Sequence, residues 1–339
     1  MKKTVLIGLG RMGMRHAQVI RELGLDLAGA AEINAEARAK AAGELGLPTD
    51  RLFADGFRAI DDLRPELVVV ATTAPSHADL VCQAAGSGAK AILCEKPMAV
   101  SLNECDRMIA ACAQSGTRLA INHQMRFMEQ YTLPRAIVRG EAFAGLASMT
   151  VVCGNFGMAM NGSHYFEAFR VVADESPVTV QAWFSSEAVP NPRGAQFEDR
   201  AGSLRLTTAS GRRFYMDCGA DQGHGMFVSY AGRYGRLDID ELAGHVGLVT
   251  RKADHRQLPT TRYGMPWDSE QRTITPVDSI SPTRAVMRAL IEGKDFPDGR
   301  IGRMAVEILV AAYVSHERGG AVIDLRTESL PGDRVFPWA

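Results

Sequence analysis

Three short stretches of the 339-residue chain bring together residue types at spacings that chemistry uses. The first is TVLIGLGRMGMRHAQVI, residues 4–20, in which Gly8, Gly10 and Gly13 follow an apolar run in the pattern G-x-G-x-x-G. The first glycine lets the chain turn sharply out of a strand. The second lets a pyrophosphate approach the backbone, and the third lets helix and strand pack closely. Phosphates then meet free N–H groups at the positive end of the helix dipole. Glu32 stands 19 residues beyond Gly13, the spacing of a carboxylate that accepts hydrogen bonds from the adenosine ribose. A carboxylate there repels a 2′-phosphate, and Ile33, Asn34 and Ala35 offer no cation to hold one. The expected cofactor is NAD rather than NADP, although Arg11 is near enough to reach a 2′-phosphate.

The second stretch, ILCEKPMAV at 92–100, ends an apolar run in Glu95-Lys96-Pro97. Ligands bind at the carboxyl edge of doubly wound sheets, and this is where such a run ends. The third, NGSHYFEAF at 161–169, sets His164 and Glu167 three residues apart, on one face of a helix. Asn161 and Ser163 are good N-cap residues, so the helix is expected to begin there. A histidine in a first helical turn favours the neutral form that a general base needs, and Glu167 is placed to orient its ring or share its proton. Acids are also common in first turns for the dipole alone, and Arg170, three residues on, makes an ion pair with Glu167 the plainer reading.

The elements that must position these residues follow from hydrophobic periodicity. Apolar runs at 4–8, 26–31, 66–71, 90–94 and 118–121 read as strands buried on both faces. Helical patterns lie between them at about 12–24, 35–46, 76–87 and 102–115, which argues for a doubly wound parallel sheet. Ser101 with Glu104 forms a capping-box pattern, and Gly116 stands where a C-cap glycine belongs. Beyond residue 122 the runs LASMTVVCG, VTVQAWFSS, GSLRLTTAS and RRFYMDCG read as antiparallel strands, interrupted by one helix near 162–174. Residues 253–280 show no period and read as a long irregular connection, followed by helices near 282–293 and 302–317. The fold class is α/β: an N-terminal Rossmann domain, 1–122, and a C-terminal α+β domain, 123–339, with an open, mostly antiparallel sheet.

GLGRMG, TTAPSHADL at 72–80, EKP at 95–97, NHQMRF at 122–127 and NGSHYFEAFRVV at 161–172 together resemble the Gfo/Idh/MocA family of nicotinamide-dependent oxidoreductases. The resemblance implies cofactor contacts from Gly8, Gly10, Arg11, Met12 and Gly13, from Glu32, and from Thr72, Thr73, Pro75 and His77. It puts Glu95 near the nicotinamide. Lys96 would reach the substrate hydroxyl, aided by a cis-like or strained geometry at Pro97. Residue chemistry agrees, because a cation beside an alcohol stabilises the developing alkoxide. His164 would move the proton, supported by Glu167. Asn122, His123 and Arg126, at the domain junction, are candidate substrate contacts with Lys96 and His164; a structural salt bridge is an equal reading for Arg126. The family pattern D-x-G-x-H-x-x-D has Met160 and Glu167 here in place of its acids. Tyr263 and Trp267 are candidates to stack on a sugar ring or to pack between domains.

The implied activity is hydride transfer between nicotinamide and a secondary alcohol of a sugar, cyclitol or sugar derivative. Two alternatives stay open: an enzyme whose tightly bound NAD gives net non-redox sugar chemistry, and an inactive NAD(P)-binding regulator. The resemblance also implies a homodimer or homotetramer. A net charge of −1 favours neither nucleic acid nor membrane partners. Six scattered cysteines without zinc-ligand spacing read as reduced thiols, so no metal is expected and a cytoplasmic location is.

Overall fold

A computed structural model describes residues 2–339 except Asn155, Ala188, 259–265 and Val277. Tyr263 therefore lies outside the described residues. Five apolar runs and one short strand form a parallel sheet: β1 (Lys3–Ile7), β2 (Asp26–Ala31), β3 (Leu52–Phe53), β4 (Leu67–Val70), β5 (Ala91–Cys94) and β6 (Arg118–Ile121). Their order is β3-β2-β1-β4-β5-β6, which places the reversal of strand order between β1 and β4. All of β4 and β5 is buried, which explains runs without polar alternation. The helices are α1 (Arg11–Glu22), α2 (Ala35–Leu45), α3 (Gly56–Leu63), α4 (His77–Gly86) and α5 (Leu102–Ser115). Ser101 caps α5 by accepting from Glu104 N at 3.2 Å, and Gly116 closes it at φ 68°. β3 and α3 have too few residues for a readable period.

The second half begins with α6 (Glu129–Arg139), unexpected because Pro134 interrupts its pattern. A nine-stranded mixed sheet follows. It contains β7 (Leu146–Gly154), β8 (Pro177–Phe184), β9 (Gly202–Thr208), β10 (Arg213–Gly219), β11 (Phe227–Gly232), β12 (Gly235–Asp240), β13 (His245–Arg251), β14 (Trp267–Thr273) and β15 (Ile323–Asp324). The order is β14-β13-β12-β11-β7-β10-β9-β8-β15, antiparallel except between β7 and β10. The helix α7 (Ser163–Ala173) packs Phe166 and Phe169 on Phe214 of one sheet face. The opposite face carries exposed Trp183, Tyr215 and Phe227. Two more helices follow, α8 (Ile280–Glu292) and α9 (Gly299–Glu317). Residues 253–280 are not wholly irregular: they contain β14, exposed along its entire length, with Trp267 56% exposed.

The chain forms two compact units: 1–124 with 279–307 and 331–339, and 125–278 with 308–330. The division at 122/123 read from the sequence is contiguous, whereas these units are not. Crossovers on the β4-β5-β6 side put α4 and α5 next to each other, while α8 packs on α1, β5 and β6. A helix from residue 280 onward thus covers strands that the first 122 residues leave bare.

Within the second unit, buried Glu241 accepts hydrogen bonds from Tyr131 Oη and, at 2.8 Å, from Tyr165 Oη. Burial pushes its carboxyl up to about 7, against the pull of the two hydroxyls. The folded state therefore keeps a proton that the unfolded chain releases above the ordinary value of 4.5. Stability present at low pH is lost as pH rises through about 7, by on the order of 3 kcal/mol. Glu241→Gln removes this dependence, and urea midpoints measured from pH 5 to 8 should fall less steeply than in the wild type. Equal slopes would count against a protonated Glu241.

Candidate functional site

In the first unit, the sequence builds a glycine turn at the carboxyl end of β1. Gly8 has φ 90°, in the left-handed region, and a Cβ on it would lie 2.6 Å from Ala71 O. A Cβ on Gly13 would lie 1.9 Å from Gly8 O, so helix and strand meet there as the motif requires. A Cβ on Gly10 would meet nothing within 4 Å, which leaves open space in front of the turn. Gly10 is the N-cap of α1, and no side chain caps that end. Arg11 is exposed and Met12 half-buried beside it. The Glu32 carboxylate reaches across from the end of β2. One oxygen accepts from Leu9 N at 2.8 Å and the other from Asn34 N at 2.9 Å. This arrangement fits a dinucleotide: amides and space for a pyrophosphate, and a fixed carboxylate for a ribose. Arg38, missed in the sequence because it lies a turn into α2, donates to Glu32 O at 2.5 Å and Ile33 O at 3.3 Å.

Across the strand-order reversal, Thr72 and Thr73 are half-buried and Pro75 is exposed. Ser76 Oγ donates to Thr72 Oγ1 at 2.7 Å. Unlike Thr72, Thr73 and Pro75, His77 is fully buried. Its Nδ1 lies 3.1 Å from Pro97 O and 3.3 Å from Met98 O, and its Nε2 lies 3.2 Å from Thr72 O. Its ring thus ties the loop after β4 to the loop after β5, and burial lowers its pKa. It meets the loops, not an open surface.

The loop after β5 carries Glu95 and Lys96, 4% and 9% exposed, and the Lys96–Pro97 peptide is cis. Glu95 Oε1 lies 2.7 Å from His16 Nε2 and accepts from Asn122 Nδ2 at 2.8 Å. Burial alone would raise the Glu95 carboxyl; the His16 hydrogen bond and charge, with Lys96 and Asn122, outweigh it and hold the group at about 2. Glu95 is an anion throughout the neutral range. Asn122 and His123 are each 1% exposed at the end of β6. His16 is a residue that sequence reasoning missed. The only signal was its position three residues past Gly13.

In the second unit, the helical segment starts earlier than expected. A π turn over Met158–Gly162 precedes α7, so neither Asn161 nor Ser163 is the N-cap. Buried Asp199, from the chain just before β9, does that work: its carboxylate accepts from Ala159 N and Met160 N, each at 2.8 Å. Ser163 Oγ turns back to Ala159 O at 2.8 Å. His164, 9% exposed, therefore stands beyond the first turn, and the helix dipole is already met by an aspartate.

Glu167 is fully buried and is bound by arginines instead of forming the expected relay with His164. Arg170 donates to its two oxygens at 2.6 and 3.0 Å, and Arg126 Nη1 lies 3.8 Å away. A carboxylate with i−3 and i+3 neighbours on one helix takes the guanidinium, which offers two parallel donors. The ion pair with Arg170 is as the spacing suggested. All six cysteines are free thiols, and among the described residues no acidic, histidine and cysteine group could hold a metal. No described helix is long and apolar enough to cross a membrane.

Residues 2–123 match the model of an oxidoreductase family with an NAD-binding Rossmann fold, Gfo/Idh/MocA. The chain is 26% identical to a D-apiose dehydrogenase of Paraburkholderia graminis, an alignment covering 96% of this chain and 90% of that one. It is 25% identical to an inositol 2-dehydrogenase of Rubrobacter xylanophilus over 71% of this chain and 72% of the relative. Its fold resembles that of an Agrobacterium radiobacter oxidoreductase solved with NAD+, L-tartaric acid and magnesium. The TM-score is 0.79 at 16% identity, covering 96% and 98% of the two chains.

Proposed function

We propose, from the match of residues 2–123 to the Gfo/Idh/MocA oxidoreductases, that the chain is an NAD-dependent dehydrogenase for a secondary alcohol of a sugar, cyclitol or sugar derivative. The observation that carries this reading is a lysine at the carboxyl end of β5, beside a glutamate held ionised, on the same sheet edge as the glycine turn. Bound NAD supplies a hydride acceptor at its nicotinamide. The first unit holds the dinucleotide through Gly8, Gly10, Arg11, Met12, Gly13, Glu32, Thr72, Thr73 and Pro75, with Glu95 near the nicotinamide. His77 acts through the loops that it joins. Lys96 polarises the alcohol oxygen and stabilises the alkoxide as it develops. His164 takes the proton. Asn122, His123 and Arg126 bind polar groups of the substrate, and Glu167 anchors Arg126 and Arg170.

The test is turnover on a panel of sugars, cyclitols and sugar acids, followed by the absorbance of reduced nicotinamide. Firm NAD binding without turnover on any of them would support a regulator instead.

NAD is favoured over NADP by the charge and fixed geometry of Glu32. Arg38 stands close by but is engaged with backbone carbonyls. Glu32→Gln should weaken NAD binding by about tenfold, since hydrogen bonds to a charged group contribute roughly 1.5–3 kcal/mol. The same change should narrow the gap to NADP. Titrating both dinucleotides checks this, and an unchanged ratio of affinities would remove Glu32 from the ribose site.

The exposed aromatic face of the nine-stranded sheet supports a homodimer or homotetramer.

A further inference from the structure

We propose that β14 is an interface strand: its outer edge pairs antiparallel with the same edge of a second copy, about a two-fold axis centred on Gln271. The contact joins the nine-stranded sheets of two chains edge to edge. It is separate from the exposed aromatic face, and it rests on neither the cofactor reading nor the catalytic one.

β14 ends the sheet beside β13, and all seven of its residues are exposed. A strand at a sheet edge presents a row of amides and carbonyls that another strand can pair with. The ladder to β13 decides which of these groups face outwards. Lys252 N donates to Pro266 O at 3.0 Å and Ile274 N donates to Gly244 O at 2.8 Å, and the register between these bonds has no bulge. Hydrogen-bonded pairs alternate along an antiparallel ladder. Asp268, Glu270 and Arg272 therefore turn their backbone groups towards β13, while Ser269, Gln271 and Thr273 turn theirs away from it. The available edge ends at Thr273, because Thr275 N donates to Glu129 Oε2 at 3.1 Å and Thr275 O accepts from Gln130 Nε2 at 2.9 Å.

A second copy must meet the outward groups of Ser269, Gln271 and Thr273, and charge selects the register. Asp268, Glu270 and Arg272 share one face of the strand, where Arg272 donates to both Glu270 oxygens at 2.5 and 2.8 Å. Between copies these residues occupy the non-hydrogen-bonded pairs, in which side chains stand closest. Opposite charges there attract and like charges repel. Centring the axis on Asp268, Glu270 or Arg272 sets that charge against itself, and centring it on Ser269 sets Asp268 against Glu270. Gln271 as the centre opposes unlike charges without opposing like ones. It sets Glu270 against Arg272 twice, with Gln271 against Gln271 and Ser269 against Thr273 as the hydrogen-bonded pairs. Edge charges that only keep strands apart repel in every register, whereas these attract in one.

The experiment is analytical ultracentrifugation of the full chain over a range of concentrations, since a single edge contact is weak. Glu270→Arg turns both charged pairs into like pairs of arginine, and Arg272→Glu turns both into like pairs of glutamate. In each variant alone the dissociation constant should rise by about tenfold or more. An equimolar mixture of the two restores opposite charges between unlike copies, and the wild-type assembly should return. A merely structural effect of either substitution would not be rescued in this way. Both side chains are exposed, so the variants should melt like the wild type. If either does not fold, Gln271→Pro replaces it: the amide it removes faces outwards, so the ladder to β13 stays intact while the central intercopy bond is lost. That variant should dissociate too, and wild-type association by it overturns the proposal. A wild-type chain that is monomeric at every concentration overturns it as well, as do charge variants that keep the wild-type mass or a mixture that does not reassociate. Phe227→Arg reads the aromatic face separately. Dissociation of that variant, with Glu270→Arg still associated, would assign the contact to the aromatic face and overturn the edge pairing.

Discussion

Lys96→Met is expected to lower turnover by about a thousandfold while leaving NAD affinity nearly unchanged. Methionine keeps the length and apolar stem of the side chain and removes only the ammonium. Losing one preorganised donor aimed at a developing oxyanion costs roughly 10²–10³ in rate, and here the donor carries a full charge in a place 9% exposed. Stability should change little. Glu95 keeps His16 at 2.7 Å and Asn122 at 2.8 Å, so the loss of the ammonium does not strand its carboxylate. Turnover at saturating substrate, set beside a dinucleotide titration, separates the two effects. A variant within about tenfold of the wild-type rate would mean that Lys96 does not touch the reacting oxygen.

Gly10→Ala and Gly13→Ala should separate binding from folding at the glycine turn. A Cβ at residue 10 meets nothing within 4 Å, so the protein should fold with wild-type stability to within about 1 kcal/mol. The methyl group then occupies the space through which a pyrophosphate nears the backbone, and NAD affinity should fall by about a hundredfold. A Cβ at residue 13 lands 1.9 Å from Gly8 O, a backbone atom that cannot rotate away. That variant should lose at least about 3 kcal/mol of stability as well as binding, since helix and strand must part. Thermal melts and dinucleotide titrations of both variants check the pair. Wild-type binding by Gly10→Ala would mean that no pyrophosphate lies against the turn.

Much of the parallel sheet could be read from the chain alone, because β4 and β5 are buried on both faces and consist only of apolar residues. The glycine turn, Glu32 and the Glu95-Lys96-Pro97 end of β5 were legible for a similar reason. Their chemistry depends on residues close in sequence and on backbone that only glycine permits at Gly8. What the sequence by itself determined was therefore the α/β class, the dinucleotide motif and the lysine.

The tertiary structure decided the partners. His16 and Glu95 are 79 residues apart, and Asp199 is about 40 residues from the helix start that it caps. No period or spacing encodes such contacts, since each depends on where a fold returns the chain. Glu167 shows the same limit at short range. Its spacing suits His164 on one side and Arg170 on the other, and only the packed geometry, with Arg126 brought alongside, settles it on the arginines. Helix α8 joined the first unit because β5 and β6 needed cover, which is a property of the sheet as a surface and of no residue within it.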